Sequence, residues 1–453
     1  MKKRFFALLL SGLLCLGLCS TAFAADDNGH WDFSDPSVGP QWVPDNPTPI
    51  DPNPPTPPTP SGPNNNDYEP STPSIPNLPV STDTTTQDGT SITNTTATPN
   101  ASVQGNTATA SVDSTTGNEI VKQAVANRSE NVIIAPKITG NVSKTEVTVP
   151  AATLEQIGSK TNANLTVSTP VADVTIPNGG LGSLSSGGGT VTVTAEQIGN
   201  SVELAIMAGG KAVQSIPGGI TLTVPTSNIS PGTVAVLVNT DGSRKIVRKS
   251  VATDGNIIIP LEGSAKLEIV DNSKSFADVP STSWAADAVA FASAHELFNG
   301  TAHDQFSPNT PMSRGMLAVV LHNLENNPAQ TLTNAFADVN NSAWYAEGVA
   351  WAADQGIVGG YGNGRFGPND NITREQLAVM LWRYAGEPTP PNLRLNFADA
   401  DNVSNWAETA MRWAVDKGII NGKGNGILDP GGWATRAEVA QVLKNYLENN
   451  CTV

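Results

Sequence analysis

Hydrophobic residues recur at helical spacing in the C-terminal part of the chain. Trp344 and Trp351 are seven residues apart, which is two helical turns, so both rings lie on one face of a helix. Leu377, Leu381 and Tyr384 recur at similar spacing further along. A glycine-rich stretch separates the two segments. The pattern predicts two helices joined by a glycine loop.

This helix–loop–helix pattern occurs three times. The units start at Phe276, Phe336 and Phe397, which are 60 and 61 residues apart, and a fixed spacing of this kind is the mark of a repeat architecture. In each unit an Asp follows the Phe by two residues, and two aromatic residues seven positions apart come next, then glycines. The paired aromatics are Trp284 and Phe291, Trp344 and Trp351, and Trp406 and Trp413.

The second helix of each unit has a recognisable start. Thr373 with Gln376, and Thr435 with Glu438, have the spacing of a capping box, in which two side chains each satisfy a free backbone group. The first unit has Ser313 but carries Met316 where the others have Gln or Glu. Each cap is followed by an arginine at the first helical position: Arg314, Arg374 and Arg436.

The middle of the chain, residues 119–272, alternates polar and apolar residues with a period of two, as in 190–194 and 220–224. This alternation predicts short strands. The Asp-Gly pairs at 241–242 and 254–255 are typical of tight hairpin turns and predict a four-strand meander over 233–270. We therefore expect an all-β, sandwich-like middle domain.

Two segments of the middle region, 155–158 and 196–199, have the same sequence, Glu-Gln-Ile-Gly. Glu155 and Glu196 could form a carboxylate pair of the kind that glycosidases use. Alternatively, each glutamate lies on the solvated face of a short helix. We favour this alternative and expect no catalytic residues in this region. It contains no His, which removes most other hydrolase chemistries.

The N-terminal part has the pattern of an exported protein. A basic start, an apolar run from Phe5 to Leu18 and an Ala-x-Ala end predict a secretory signal peptide over 1–24. Residues 25–118 are rich first in Pro and then in Thr and Ser, and contain no Lys or Arg. This composition predicts a disordered linker. The linker could serve as a spacer or as a peptide ligand for another protein.

Charge and cysteine content limit the function classes. The net charge of −16 argues against nucleic acid and anionic lipid as partners, since both require a basic surface. No later segment is long and apolar enough for a transmembrane helix, so we expect no membrane insertion after signal cleavage. Two of the three cysteines lie in the signal, which leaves Cys451 without a partner. The three histidines of the first repeat lack ligand spacing, and neither a metal nor a cofactor is expected.

The repeated order Phe-x-Asp, Trp, Gly-Ile-x-x-Gly, Phe-x-Pro and Thr-Arg-x-Glu resembles the S-layer homology domain. The resemblance covers three copies: 275–334, 335–395 and 396–450. It implies an all-α C-terminal domain in which the three helix-loop-helix repeats form a pseudo-threefold bundle with grooves between them. It also implies binding to secondary cell-wall polysaccharide linked to peptidoglycan, commonly through a sugar that bears a pyruvyl ketal.

This resemblance suggests which residues bind the polymer. A pyruvyl ketal presents a carboxylate, which the start of a helix and an arginine at its first position would attract. The other candidates could instead have purely structural roles. The first Trp of each pair could belong to the core, the Asp could form a turn or a helix cap, and the Gly could end a helix. The candidate polysaccharide-binding residues are Arg314, Arg374, Arg436, Trp284, Trp344, Trp406, Asp278, Asp338, Asp399, Gly300, Gly360 and Gly422.

The copies differ, and the grooves are expected to depend most on Arg374 and Arg436. The chain is therefore predicted to be a secreted, non-catalytic protein of a Gram-positive-type cell surface, anchored non-covalently to the wall. The alternatives are an anchored enzyme that acts on extracellular polysaccharide and a subunit of a surface-layer lattice.

Overall fold

The computed structural model describes residues 80–87, 90–332, 335–390 and 394–450, and the backbone of two short strands, 29–32 and 41–44. The chain divides into two compact units, Met1–Ile75 and Pro76–Val453. In the first, strand β1 (Gly29–Asp32) pairs antiparallel with β2 (Gln41–Pro44). The predicted signal peptide, most of the predicted linker and Cys451 lie outside the described residues.

The second unit begins with two large sheets. The first has eight strands, in the spatial order β17-β18-β14-β10-β9-β7-β4-β3. Its strands are β3 (Val80–Gln87), β4 (Thr90–Ala97), β7 (Asn131–Ile134), β9 (Asn164–Ser168), β10 (Asp173–Ile176), β14 (Ile220–Pro225), β17 (Val251–Thr253) and β18 (Asn256–Leu261).

The second sheet has nine strands, in the order β16-β15-β19-β12-β11-β8-β6-β5, with β13 paired to β12. Its strands are β5 (Ala101–Gln104), β6 (Thr107–Ser111), β8 (Lys144–Pro150), β11 (Thr190–Ile198), β12 (Ser201–Ala208), β13 (Lys211–Ala212), β15 (Thr233–Val238), β16 (Arg244–Ile246) and β19 (Ala265–Asp271).

One hydrophobic core joins the two sheets. Alternate residues of the central strands are buried, such as Leu165 and Val167 in β9 and Val191 and Val193 in β11, and they belong to the same buried cluster. Three helices contribute to this cluster: α1 (Ser114–Asn127), α2 (Ala151–Lys160) and α3 (Asn178–Ser185). The β-rich character predicted for residues 119–272 is confirmed, and the β-rich region of the structure spans residues 80–271.

Two details of the prediction were wrong. The predicted linker extends to residue 118, yet β3, β4, β5 and β6 pair within the sheets from Val80 onward. Threonine is β-branched and suits strands, so a polar Thr-rich tract can fold when small residues such as Ala108 and Ala110 fill the core. The region is also not all-β, because it contains three helices and the parallel pairs β4–β7, β7–β9 and β6–β8.

The repeated Glu-Gln-Ile-Gly phrase takes two different structures. Glu155 lies in helix α2, whereas Glu196 lies in strand β11 beside Lys144, 3.4 Å away. The expectation that both lie on helices was wrong for Glu196. Pairing with β8 and β12 holds this copy extended.

The C-terminal region is helical, with two helices in each repeat. All three second helices begin at the predicted arginine, after a capping interaction; in the first repeat the Met316 sulfur takes the place of the acid and accepts from Ser313 N–H at 3.5 Å. The helices are α4 (Ala286–Ala294), α5 (Arg314–Leu324), α6 (Ala346–Asp354), α7 (Arg374–Tyr384), α8 (Glu408–Asp416) and α9 (Arg436–Asn450), and a short 3₁₀ turn spans Ala400–Asn402. No helix within the described ranges is both long and apolar enough to span a membrane.

The β-rich region packs directly against the first repeat. His295 is buried, and its ring nitrogens lie 2.8 Å from Phe291 O and from Ser250 O of the β-rich region. Arg248 donates to Asn323 O at 2.7 Å. Lys249 forms an ion pair with Glu325 at 2.6 Å. The two regions therefore share a polar, partly buried junction.

Candidate functional site

Three extended segments, one before the second helix of each repeat, meet in a closed ring of hydrogen bonds. Met312 N–H donates to Ala434 O, Ala434 N–H to Ile372 O, and Ile372 N–H to Met312 O, each at 2.9 Å. Around this ring, α5 packs on α6, α7 on α8, and α9 on α4. Each repeat thus contacts both others, which gives three equivalent interfaces between repeats.

The three predicted arginines are buried between repeats. Their side chains are 4–6% exposed, and burial lowers the pKa of each guanidinium from its ordinary value, although arginine stays charged. Each Nε–H donates to a backbone carbonyl in the loop of the next repeat. The pairs are Arg314 to Phe366 O (2.9 Å), Arg374 to Leu428 O (2.9 Å) and Arg436 to Phe306 O (2.8 Å).

The helix starts that follow the caps do not offer free N–H groups. In the second helix of repeat 2, Arg374 N–H donates to Gly432 O and Glu375 N–H to Pro430 O, both at 2.9 Å. Gln376 N–H donates to the Thr373 hydroxyl. The other two repeats have the same arrangement. The premise that these N–H groups await a ligand carboxylate was wrong, because the neighbouring repeat's loop already accepts from them.

The predicted aspartates hold the same loops from the other side. Asp338 accepts from Phe366 N–H at 2.8 Å and from Gly367 N–H at 2.9 Å. Asp278 and Asp399 accept from the equivalent pairs, Phe306 with Ser307 and Leu428 with Asp429. Desolvation of Asp338 opposes ionisation, but the two N–H donors outweigh it and lower the pKa of the carboxyl. These residues brace the peptide whose carbonyl the arginine holds.

Gly300, Gly360 and Gly422 sit at a close contact. A Cβ atom on Gly360 would lie 2.5 Å from Arg365 O and 2.8 Å from the Phe336 ring, and the other two glycines are equally crowded. The expectation that these glycines end helices was wrong, because the first helices end at Ala294, Asp354 and Asp416. Of the three glycines, Gly360 alone has a positive φ (+65°). The left-handed residues after the first helices are Glu296, Gly356 and Gly418.

The paired aromatics divide clearly between surface and core. Trp284, Trp344 and Trp406 are 64%, 63% and 58% exposed, whereas their partners Phe291, Trp351 and Trp413 are at most 5% exposed. The seven-residue spacing predicted that both aromatics of a pair lie on one face of a helix. In the structure the first Trp of each pair precedes the first helix of its repeat, and its side chain is exposed. Three large aromatic side chains are thus open to solvent, one in each repeat.

One groove forms a defined cleft of about 280 Å³. We call it groove 1. It is lined by Arg314 from repeat 1, by the loop 358–361 and helix α7 from repeat 2, and by Trp406 from repeat 3. Tyr361, Gln376 and Arg383 contribute to it and were not identified from the sequence. Comparing the repeats position by position could have found them, since the other copies have different residues there.

Trp433 is a further exposed aromatic that sequence reasoning missed. It is 58% exposed and follows two glycines in the extended segment of repeat 3. The equivalent positions hold Pro311 and Asn371. Its absence from the other copies explains why the repeat pattern did not identify it.

Comparison with known proteins assigns the C-terminal region. Residues 275–315, 335–378 and 396–440 match the model of the S-layer homology domain. The chain is 28% identical over 332 residues to an amylopullulanase of Thermoanaerobacterium thermosulfurigenes and 32% identical over 161 residues to a surface-layer 125 kDa protein of Lysinibacillus sphaericus. It is also 25% identical over 151 residues to a cellulosome-anchoring protein of Acetivibrio thermocellus.

These matches cover 65%, 34% and 32% of this chain. The chain spans 18%, 13% and 33% of those relatives' own lengths. The similarity therefore concerns a module that enzymes and surface-layer proteins both contain. The chain carries three S-layer homology domains in tandem between residues 275 and 440, and it is a cell-wall-associated protein of the cell surface.

Proposed function

We propose that this chain is a non-catalytic surface protein that its three S-layer homology domains hold on peptidoglycan-linked secondary cell-wall polysaccharide. The observation that carries the proposal is the exposure of Trp284, Trp344 and Trp406, of which Trp406 lines the cleft between repeats. Aromatic faces open to solvent suit stacking on sugar rings, and exposed aromatic residues of this size mark interaction sites. The cellulosome-anchoring and surface-layer relatives support a role in attachment.

The arginines, aspartates and glycines named from the sequence remain part of this proposal, in a modified role. The aspartates and glycines shape the loops that form the groove walls. The arginines hold those loops through Nε, and their outer nitrogens are the atoms that would meet a carboxylate on the polymer, such as a pyruvyl ketal.

An anchored polysaccharide-acting enzyme is the second candidate, because amylopullulanase, exoglucanase and endoglucanase are among the relatives. The amylopullulanase match covers 65% of this chain and so extends beyond the repeats into the β-rich region. That stretch is 18% of the relative's length. Glu155 and Glu196 do not favour catalysis here, since Glu155 lies on a helix and Glu196 pairs with Lys144.

Sedimentation with purified cell walls tests the anchoring proposal. The full chain is mixed with walls, with walls stripped of their non-peptidoglycan polymers, and with the released polymer as competitor. We expect sedimentation with intact walls, its loss after stripping, and competition by the free polymer. Equal sedimentation with stripped walls would contradict a polysaccharide partner. Release of reducing sugar from defined polysaccharides by the same preparation would contradict the non-catalytic assignment.

A further inference from the structure

The three grooves are related by the repeats but differ in chemistry. We use groove 2 and groove 3 for the positions that are equivalent to groove 1 by repeat alignment. They are Arg374, the loop 420–423, helix α9 and Trp284 in groove 2, and Arg436, the loop 298–301, helix α5 and Trp344 in groove 3. The same positions of each groove can therefore be compared, starting from the arginine that all three share.

Of the three arginines, the arginine of groove 1 donates the fewest side-chain hydrogen bonds to the described residues. Arg374 Nη2 donates to Asn421 O and Arg436 Nη2 donates to Asn299 O, both at 2.6 Å. The equivalent residue in groove 1 is Gly359, and among the described residues Arg314 makes no such bond. The Arg314 guanidinium carbon lies 4.8 Å from the Tyr361 ring centroid and 4.7 Å from the Phe366 centroid, and Arg436 has two similar ring contacts. Arg314 lines the cleft, and the nearby carboxylates of Asp370 and Asp338 interact with its charge.

The residue three positions after each cap sets the local charge. In groove 2 this residue is Glu438, whose Oε1 is 3.9 Å from Arg374 Nη1 and 3.3 Å from Lys423 Nζ. The Glu438 carboxylate would repel an anionic ligand, and together with Asp429, 2.9 Å from Lys423 Nζ, it offsets the charge of both cations. Groove 1 has the neutral Gln376 at this position, and groove 3 has Met316.

A second arginine is specific to groove 1. Arg383, in the last turn of α7, lines the cleft, and no carboxylate in the described part of the chain lies within ion-pair distance of it. The equivalent residues are Asn445 in groove 2 and Asn323 in groove 3. The Asn323 side-chain amide donates to Leu297 O, and its backbone carbonyl accepts from Arg248 of the β-rich region.

We propose that groove 1 is the single anion-selective groove of this chain and that Arg383 is its specificity-determining residue. This inference rests on the proposed function, because it concerns the anionic sugar that the grooves would bind. The described lining residues of groove 1 include two guanidinium groups, two aromatic side chains and no carboxylate. In a chain with a net charge of −16, a polyanion is held only where positive charge is concentrated locally.

Calorimetric titration of the full chain tests the inference. The probe is a methyl hexoside that carries a pyruvyl ketal, and the same hexoside without the ketal is the ligand control. We expect one bound ketal per chain and no detectable binding of the plain hexoside. Arg383→Asn, which installs the residue of the other two repeats, should weaken binding at least about tenfold. Arg244→Asn, which removes an exposed arginine of the β-rich region, is the charge-matched control and should leave it unchanged.

A gain-of-function variant makes the comparison between grooves direct. Glu438→Gln combined with Asn445→Arg gives the α9 side of groove 2 the two polar residues that α7 contributes to groove 1, and we expect two bound ketals per chain. Three equivalent sites in the unmodified chain, or unchanged affinity in folded Arg383→Asn, would overturn the inference. Sedimentation with walls combined with no binding of the ketal would also overturn it, while leaving the anchoring proposal intact. Loss of wall sedimentation by the unmodified chain would instead refute the anchoring proposal.

Discussion

Arg436 of the third repeat donates its Nε–H to Phe306 O of the first repeat at 2.8 Å, across 130 residues of sequence. This bond joins the last repeat to the first and closes the ring. Asp278 accepts from the N–H of the same Phe306 at 2.8 Å. The backbone of Phe306 is thus held on one side by its own repeat and on the other by a different one.

Arg436→Ala should destabilise the helical region. It leaves Phe306 O and Asn299 O without their donors, and unpaired buried acceptors together with lost packing cost about 3 kcal/mol. Urea denaturation followed by tryptophan fluorescence measures the change. Arg412→Ala, which removes an arginine paired with Glu408 on α8, is the control and should cost less than about 1 kcal/mol. A fully stable Arg436→Ala protein would show that the interrepeat bond is dispensable.

Comparing Gly360→Ala with Gly362→Ala separates steric crowding from backbone strain. The Cβ added by Gly360→Ala would lie 2.5 Å from Arg365 O at a φ of +65°, so we expect a loss of about 3 kcal/mol from strain and steric overlap together. The matched control is Gly362→Ala, at a φ of +81° with no atom within 4 Å of the added Cβ. That change should cost only about 1 kcal/mol. Similar thermal midpoints for the two variants would contradict the crowding argument.

Trp406→Ala should reduce binding to cell walls, whereas Trp413→Ala should reduce stability. Trp406 is 58% exposed and lines groove 1, so its removal should reduce sedimentation with walls while changing stability by less than about 0.5 kcal/mol. Trp413 is 2% exposed, and its removal should cost about 3–5 kcal/mol. Wall sedimentation and urea denaturation of both variants measure the two effects. Normal sedimentation of Trp406→Ala would remove this side chain from the proposed binding surface.

His295 predicts a pH-dependent stability at the junction with the β-rich region. Burial lowers its pKa in the folded state, so the unfolded chain binds more protons below the unfolded value of about 6.5. Stability should therefore fall as pH drops through that value. Thermal midpoints from about pH 8 to about pH 5 should show a smaller decrease for His295→Gln than for the unmodified chain. His303→Gln, which changes an exposed histidine, is the control, and an unaltered pH profile in His295→Gln would contradict the assignment.

The sequence predicted the helical elements well because their signals are local. Seven-residue aromatic spacing and the caps at Ser313, Thr373 and Thr435 identify helices without knowledge of neighbours, and the second helices begin at the residues predicted. The site was harder to predict. Whether an arginine nitrogen faces a ligand or a carbonyl depends on the loop of the next repeat. Considering each repeat by itself favoured Arg374 and Arg436, in which Nη2 already donates to a backbone carbonyl.

The sequence by itself determined the repeat architecture, its helices and the strand-rich nature of the middle region, because periodicity and capping act over a few residues. Tertiary structure decided the rest. The predicted meander is split, with hairpin β15–β16 in one sheet and β17–β18 in the other. The same four residues, Glu-Gln-Ile-Gly, form a helix with Ile157 fully buried and end a strand with Ile198 67% exposed. Identical local preferences gave two structures because one copy packs its apolar side chain in the core, and the other has neighbouring strands to pair with its backbone.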